Sequence, residues 1–175
     1  VPVLRCQNFK VKALGEKIKS ASRIKKIIDK LKDEGKKIAF TNGCFDILHY
    51  GHIKYLEEAK GKADILVVGL NSDSSVKKIK GKNRPINKQL DRARVLSALT
   101  SVDYLTIFSE GTPLELIKLI QPDVLVKGGD WQREKIVGAD SVKNRGGKVL
   151  AIPYIKGYST TRLIEKIRAI RAFNG

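Results

Sequence analysis

Residues 38–52 read Ile38-Ala39-Phe40-Thr41-Asn42-Gly43-Cys44-Phe45-Asp46-Ile47-Leu48-His49-Tyr50-Gly51-His52, and the chain runs on into Ile53-Lys54-Tyr55-Leu56-Glu57-Glu58-Ala59. An apolar run, a glycine turn and a helical pattern follow one another, so the stretch reads as strand, turn, helix. His49 and His52, the chain's two histidines, fall at or just before the first helical turn. There, unpaired backbone N–H groups and the positive end of the helix dipole favour an anion. Imidazoles at i and i+3 project from one side of a turn, so both can donate to oxygens of one phosphate and follow its charge through a pentavalent transition state. Gly51 between them is expected to leave room for the ligand. A free His, with a pKa of roughly 6.5, is mostly uncharged at neutral pH, and a bound polyphosphate favours its protonated form. A bare H-x-G-H also describes two ordinary surface or capping histidines; the strand-to-helix setting, with Gly43 and Asp46 in front, favours the phosphate reading.

Outward from this stretch, 175 residues allow one substantial core and are too few for two full enzyme domains. A composition of 42% hydrophobic and 30% charged residues is that of a soluble globular protein,. Apolar runs such as Ile65 to Val68 fall far short of a membrane span, and no secretory h-region stands near the N-terminus,. Cys6 and Cys44 are the only cysteines, which excludes a disulfide framework and suits a reducing cytoplasm, the expected location. Cys44 reads as a small turn residue, because no third histidine remains as its base if the pair binds phosphate. The formal charge of +17 suits nucleic-acid phosphates and polyphosphate substrates alike, and lysine-rich surfaces also occur in proteins from hot environments. Against a nucleic-acid-binding protein, aromatic residues make up only 6% of the chain and no RNP-like or helix-turn-helix pattern is present.

Residues 1–21 are weakly periodic and lysine-bearing, an arm or a docking segment. Ser22 is expected to cap a helix with Ile24, Ile27, Ile28 and Leu31 on one face, closed by Gly35,. From Lys37 on, β-rich runs (38–41, 65–70, 104–108, 124–126, 149–152) alternate with helical patterns near 51–60, 90–99, 113–120, 134–144 and 160–172. Strands separated by helices imply parallel pairing with right-handed crossovers, and runs such as Ile65-Leu66-Val67-Val68 imply strands covered on both faces. The fold class is therefore α/β, a Rossmann-like five-stranded parallel sheet flanked by helices. Ligands in such sheets sit beyond the carboxyl ends of the strands, where Gly43, Asn71, Lys127 and Pro153 fall.

The strand ends carry further candidates. Asn71 to Pro85 is polar, basic and punctuated by Gly81 and Pro85, and reads as a movable loop. Its Lys77 and Lys80 either close on phosphates or form a solvated run. Arg92 lies in the next helix, whose core side is Val95, Leu96 and Leu99. After the fourth strand, Lys127-Gly128-Gly129-Asp130-Trp131 is either a ligand-approaching turn, with Asp130 for ribose hydroxyls and Trp131 against a ring, or an ordinary turn with a packed tryptophan. Gly157-Tyr158-Ser159-Thr160-Thr161-Arg162 opens the last helix, as an N-cap or as a second anion-binding helix end facing the first.

Thr41 to His52 resembles the H-x-G-H nucleotidyltransferase superfamily, which includes the cytidylyltransferases and pantetheine-phosphate adenylyltransferase. Class I aminoacyl-tRNA synthetases share the signature but are far longer, and no K-M-S-K-S-like stretch occurs in this chain, which has no methionine. Residues 37–168 look more narrowly like the adenylyltransferase domains that make ADP-heptose. The likeness is carried by TNGCFDILHYGH, VGLNSDSSVKKIKG with RPIN, Asp91-Arg92, TPLELI, PDVLVKGGDW and YSTTRLI.

That resemblance implies transfer of AMP from ATP to D-glycero-β-D-manno-heptose 1-phosphate with release of pyrophosphate, for lipopolysaccharide core synthesis. CTP and glycerol 3-phosphate or a related alcohol phosphate are the same-class alternative. The chain is accordingly expected to divide into an N-terminal arm over 1–21 and a nucleotidyltransferase domain over 22–175. The resemblance places Thr41, Gly43, Phe45, His49 and His52 at the nucleotide phosphates, and Lys77, Lys80 and Arg92 on phosphate charge. Lys127, Gly129 and Asp130 then meet the nucleoside, and Ser159, Thr160 and Thr161 the distal phosphates. Asp46 lies near the metal or the turn. Mg²⁺ is expected with ATP, its protein ligands not identified by the sequence. A separate sugar kinase is expected upstream, because 175 residues leave no room for one; no membrane insertion is expected, and a homo-oligomer is left open.

Overall fold

The computed structural model describes residues 14–129, 132 and 135–173. Five strands, β1 (Ile38–Gly43), β2 (Ile65–Asn71), β3 (Tyr104–Phe108), β4 (Val124–Gly128) and β5 (Lys148–Ile152), form one sheet in the order β3-β2-β1-β4-β5. All the pairings are parallel. The chain steps outward from β1 through β2 to β3, then returns to lay β4 on the other flank of β1. The order therefore reverses between β1 and β4, and the crevice for a ligand opens beyond Gly43 and Gly128. This is the α/β, Rossmann-like five-stranded parallel sheet that the sequence implies.

Strand periodicity decides which helix covers which face. Ile38 and Phe40 point to one side, where Ile24 and Ile28 of α2 (Ala21–Asp33), Ile117 and Ile120 of α6 (Leu114–Ile120) and Val142 of α7 (Ala139–Lys143) complete a core. Ala39, between them, points to the other side, against Leu56 and Ala59 of α3 (Tyr50–Lys60) and Ala93 and Leu96 of α5 (Gln89–Ser97),. Both cores are filled by fully buried aliphatic side chains. At about 25 cal/mol per Å² of apolar area, each such residue contributes roughly 1.5–3 kcal/mol.

Three local expectations are corrected. Ser20, not Ser22, caps α2, its hydroxyl accepting from Arg23 N, while Gly35 does close the helix at φ 77°. The first part of the stretch after β2 is helix, not loop: Ser72 caps α4 (Asp73–Lys80) by accepting from Ser75 N, and Val76 is buried beneath it, while 81–88 lies outside helices and strands. Serines read as loop residues instead start a helix. Among the described residues of the helix expected over 134–144, Ala139–Lys143 is α-helical, capped by Gly138 at φ 86°. The short α1 (Leu14–Lys17) is docked: Lys17 Nζ donates to Leu99 O at 2.9 Å, and Ile18 bridges to Leu105. The rest of the expected arm, residues 1–13, lies outside the described residues. The last helix, α8 (Thr160–Phe173), runs from the crevice with no buried side chain over 160–170.

Candidate active site

A cleft of about 640 Å³ opens at the carboxyl ends of the strands. Gly43, Asn71, Lys127 and Pro153, one from each of four strand ends, all line it, so the crevice lies where the strand order places it. Its volume is of the size that takes small-molecule ligands.

His49 is the N-cap of α3 in extended backbone (φ −144°, ψ 170°), and its carbonyl accepts from His52 N at 2.9 Å. The one-turn spacing stacks the two imidazoles with ring centroids 3.9 Å apart and planes 24° apart. Phe45, at φ 43°, turns its ring edge-on to His52 at 5.4 Å. Nδ1 of both histidines is buried without a partner, which leaves Nε2 of each ring as the nitrogen that can meet a ligand in the cleft. Burial holds both rings neutral: His52 is pushed down to about 4, with His49 adding to the effect, and His49 is lowered in the same direction,.

Gly51 has a different purpose from the one its position suggests. A Cβ there would come within 3.0 Å of Tyr158 Cβ and 3.2 Å of the His49 ring. The missing side chain makes room for the protein's own imidazole and tyrosine at the cleft wall. Gly128 acts similarly, since a Cβ would sit 3.2 Å from Tyr154 and 3.3 Å from Tyr55.

Across the cleft, α8 begins beside α3. Ser159 Oγ accepts from Arg162 N at 3.1 Å, the N-cap role, and Thr160 Oγ1 donates to Ile47 O at 3.3 Å, tying the start of α8 to the turn before α3. Ser159, Thr160 and Thr161 all line the cleft. Two helix N-termini thus point into one space, the arrangement that suits a polyphosphate.

The cations divide into two kinds. Lys127, on β4, reaches Asn42 Oδ1 at 3.4 Å, and its ammonium is lowered from its ordinary pKa chiefly by burial, with Lys80 nearby opposing its charge. Lys80, at the end of α4, also lines the cleft, whereas Lys77, one turn earlier, does not. Arg92 is different. Its side chain is 0% exposed and fully engaged by protein, with Nε on Asn87 O, Nη1 on Cys44 O and Nη2 on Asp73 Oδ1. Arg92 does not line the cleft in this structure; it pins the turn that carries the site from behind.

Thr41 and Gly129 also stand back from the cleft. The Thr41 hydroxyl is buried and paired with Tyr55 OH, and Tyr55 donates to Val126 O. These bonds lash α3 to the sheet beneath the histidines. Gly129, at φ 114°, donates its N–H to Ile152 O as β4 ends. Gly43 and Phe45 line the cleft. Asp130 and Trp131 lie outside the described residues. Asp46 is 1% exposed and accepts from Arg84 Nε, Ile86 N and Asn87 N, an organiser of the turn. Burial raises its pKa, but the two amides and the guanidinium outweigh that and hold the carboxyl below the usual range. Cys44 faces the same space, its thiol pushed up by burial, which agrees with a turn residue rather than a nucleophile.

Sequence reasoning missed Asn42, Arg84, Tyr154 and Tyr158 as lining residues. Asn42, Arg84 and Tyr158 lie within the quoted motifs, but Arg84 reaches the cleft only through its contact with Asp46; Tyr154 is brought in by tertiary packing alone.

The cytidylyltransferase-like family matches residues 40–166. The chain is 52% identical over 154 residues to the bifunctional protein HldE of a Nitratiruptor species, covering 88% of this chain and 32% of that protein. It is 55% identical over 151 residues to the bifunctional protein HldE of Aliarcobacter butzleri, covering 86% and 31%. The chain thus spans about a third of the length of these relatives. Among solved structures, the lipopolysaccharide core biosynthesis protein from Thermoplasma volcanium superposes with a TM-score of 0.56 at 32% identity, over 71% of this chain and all of that one. A pantoate-beta-alanine ligase from Francisella tularensis shares the fold at 19% identity, with a TM-score of 0.55 over 78% of this chain and 66% of that one. The strand-turn-helix with its stacked histidines, and the match that runs from β1 into α8, make this chain a member of the cytidylyltransferase-like family.

Proposed function

We propose that the cleft transfers AMP from ATP to D-glycero-β-D-manno-heptose 1-phosphate, giving ADP-heptose and pyrophosphate for lipopolysaccharide core synthesis. The observation that carries the chemistry is the pair of neutral imidazoles stacked at 3.9 Å at the start of α3, facing the start of α8. The choice of acceptor is supported by the half-identical HldE relatives and by the narrow motif resemblance.

In this reading an oxygen of the sugar phosphate attacks the α-phosphorus of ATP. The new O–P bond forms as the bond from the α-phosphorus to the bridging oxygen breaks, and the electron pair leaves with pyrophosphate. The attacking group is already an anion, so no general base and no covalent enzyme intermediate are required. His49 and His52 donate through Nε2 to oxygens that gain charge, while Lys127 and the two helix starts hold the polyphosphate in line. Removing one such donor costs about 3–4 kcal/mol of transition-state stabilisation.

Magnesium belongs to the nucleotide substrate here. Among the described residues no group of three or more His, Cys, Asp and Glu side chains is placed to hold an ion, and Asp46 is committed to Arg84 and two amides. Mg²⁺ would enter on the triphosphate, with phosphate oxygens and water as its main ligands.

The reaction also implies its supply: the 1-phosphate is made by a kinase activity outside residues 1–175, since a sugar hydroxyl would need a base that the histidine pair does not provide. The test is pyrophosphate release from ATP or CTP with free heptose, heptose 7-phosphate and heptose 1-phosphate. Release with ATP and the 1-phosphate alone is expected. CTP-only activity, or ADP-heptose from the 7-phosphate without added kinase, would remove the reading.

A further inference from the structure

Arg84 lies between α4 and α5 and lines the cleft, with 17% of its side chain exposed. It is held by one edge. Nε donates to Asp46 Oδ2 at 2.6 Å, and Asp46 in turn takes the backbone N–H groups of Ile86 and Asn87, while Asn87 Nδ2 returns to Asp46 O at 2.7 Å. Among the described residues, Nη1 and Nη2 of Arg84 have no hydrogen-bond partner. A guanidinium fixed through Nε presents its outer edge ready-oriented, and that edge matches two oxygens of a phosphate.

Around this point the cleft is cationic. Lys80, Arg92, Arg84 and Lys127 all lie close enough to oppose the burial that raises the Cys44 thiol. Arg92 is spent on protein acceptors, and Lys127 lies on the β4 side with Asn42. Arg84 and Lys80 remain, carried by the α4–α5 connection and the end of α4. A nucleotidyl transfer brings two separate phosphates together, and in-line geometry puts the attacking one opposite the departing pyrophosphate. The helix starts serve the polyphosphate of the nucleotide, and Arg84, the only arginine among the described residues that line the cleft, is left for the second phosphate.

We propose that Arg84 and Lys80 form the acceptor-phosphate subsite, with the Nη1/Nη2 edge of Arg84 gripping two oxygens of the sugar 1-phosphate and leaving the third free to attack. The assignment rests on the proposed transfer reaction. Asp46 is its positioning residue.

Two measurements test it on the full chain. In steady-state kinetics, Arg84→Gln is expected to raise the acceptor KM at least about tenfold, the scale of a lost charged hydrogen-bond pair, with the ATP KM nearly unchanged. Arg84→Lys, which keeps a cation for Asp46 and so guards against a folding defect, is expected to recover only part of the loss. An ATP KM that rises in the same proportion, or an unchanged acceptor KM, overturns the proposal. The second measurement needs no turnover: inorganic phosphate is titrated calorimetrically into the protein held with a non-hydrolysable ATP analogue. Phosphate binding by the native chain that is lost in Arg84→Gln is expected; equal binding in both, or none in the native chain, overturns it. If no sugar phosphate accepts a nucleotide the functional reading falls, and the calorimetric result still judges Arg84 separately.

Discussion

Acidifying the free protein should destabilise it through His52 before any carboxylate is touched. Burial and the stacked His49 ring hold the His52 imidazole at about 4, against an ordinary 6.5 in the unfolded chain. Between those values the unfolded chain binds a proton that the folded chain refuses. The contribution is therefore complete above about 6.5 and is lost as pH falls toward 4. At pH 5 the loss from this one group is about 2 kcal/mol, or roughly 4–8 °C in Tm for a domain of this size. His49 shifts in the same direction and adds to it. Asp46 and Asp123 are held below the usual carboxylate value, so their contributions are lost only at pH values below that. The window from pH 7 to pH 5 thus isolates the histidines. The assay is thermal unfolding without ligand at pH 7 and pH 5, for the native chain and for His52→Asn. The variant should lose most of the pH dependence, and a bound nucleotide should suppress it in the native chain by favouring the protonated ring. The same fall in Tm in both chains, or a His52 that titrates near 6.5 by NMR, would refute the reasoning.

Changing His49 or His52 to Ala should lower kcat at least about a hundredfold, the scale of one transition-state donor, with similar thermal unfolding at neutral pH; near-normal turnover in both variants would sink the phosphate role. Gly51→Ala should lower activity, because the new methyl meets Tyr158 at 3.0 Å and displaces the His49 ring at 3.2 Å, and the same contacts should cancel the helix-propensity gain of up to about 1 kcal/mol,; stopped-assay rates and denaturant midpoints separate the two effects. Arg92→Lys should cost roughly 1–3 kcal/mol in urea unfolding, because one ammonium cannot serve Asn87 O, Cys44 O and Asp73 together and leaves buried acceptors unsatisfied,; a raised ATP KM at unchanged stability would return Arg92 to the phosphates.

The sheet was legible because its signal is local. Each apolar run is short, rich in Val, Ile and Leu, and separated from the next by a helical pattern, so parallel pairing follows from connection length alone. The histidine pair was legible because i,i+3 spacing at a strand-to-helix turn fixes direction as well as position. What failed depended on context. The run from Asn71 to Lys80 is polar enough for a loop, but one buried Val76 and the Ser72 cap are sufficient for a helix. Arg92 resembles any arginine beside a phosphate site until Cys44, Asn87 and Asp73 are seen to absorb its donors. Gly51 suggests space for a ligand until Tyr158, more than a hundred residues away, arrives to fill it. Arg84 carries no periodic or spacing signal, and only the Asp46 contact brings it into the cleft.

The most direct measurement follows oxygen. Heptose 1-phosphate labelled with ¹⁸O in its non-bridging phosphate oxygens is incubated with the protein, Mg²⁺ and unlabelled ATP, and the products are read by ³¹P NMR isotope shifts and mass spectrometry. Attack by the sugar phosphate on the α-phosphorus beside His49 and His52 predicts ¹⁸O in the bridge between the two phosphorus atoms of ADP-heptose, and pyrophosphate free of label. Labelled inorganic phosphate, label in pyrophosphate, or ATP consumed with no labelled sugar nucleotide would contradict it.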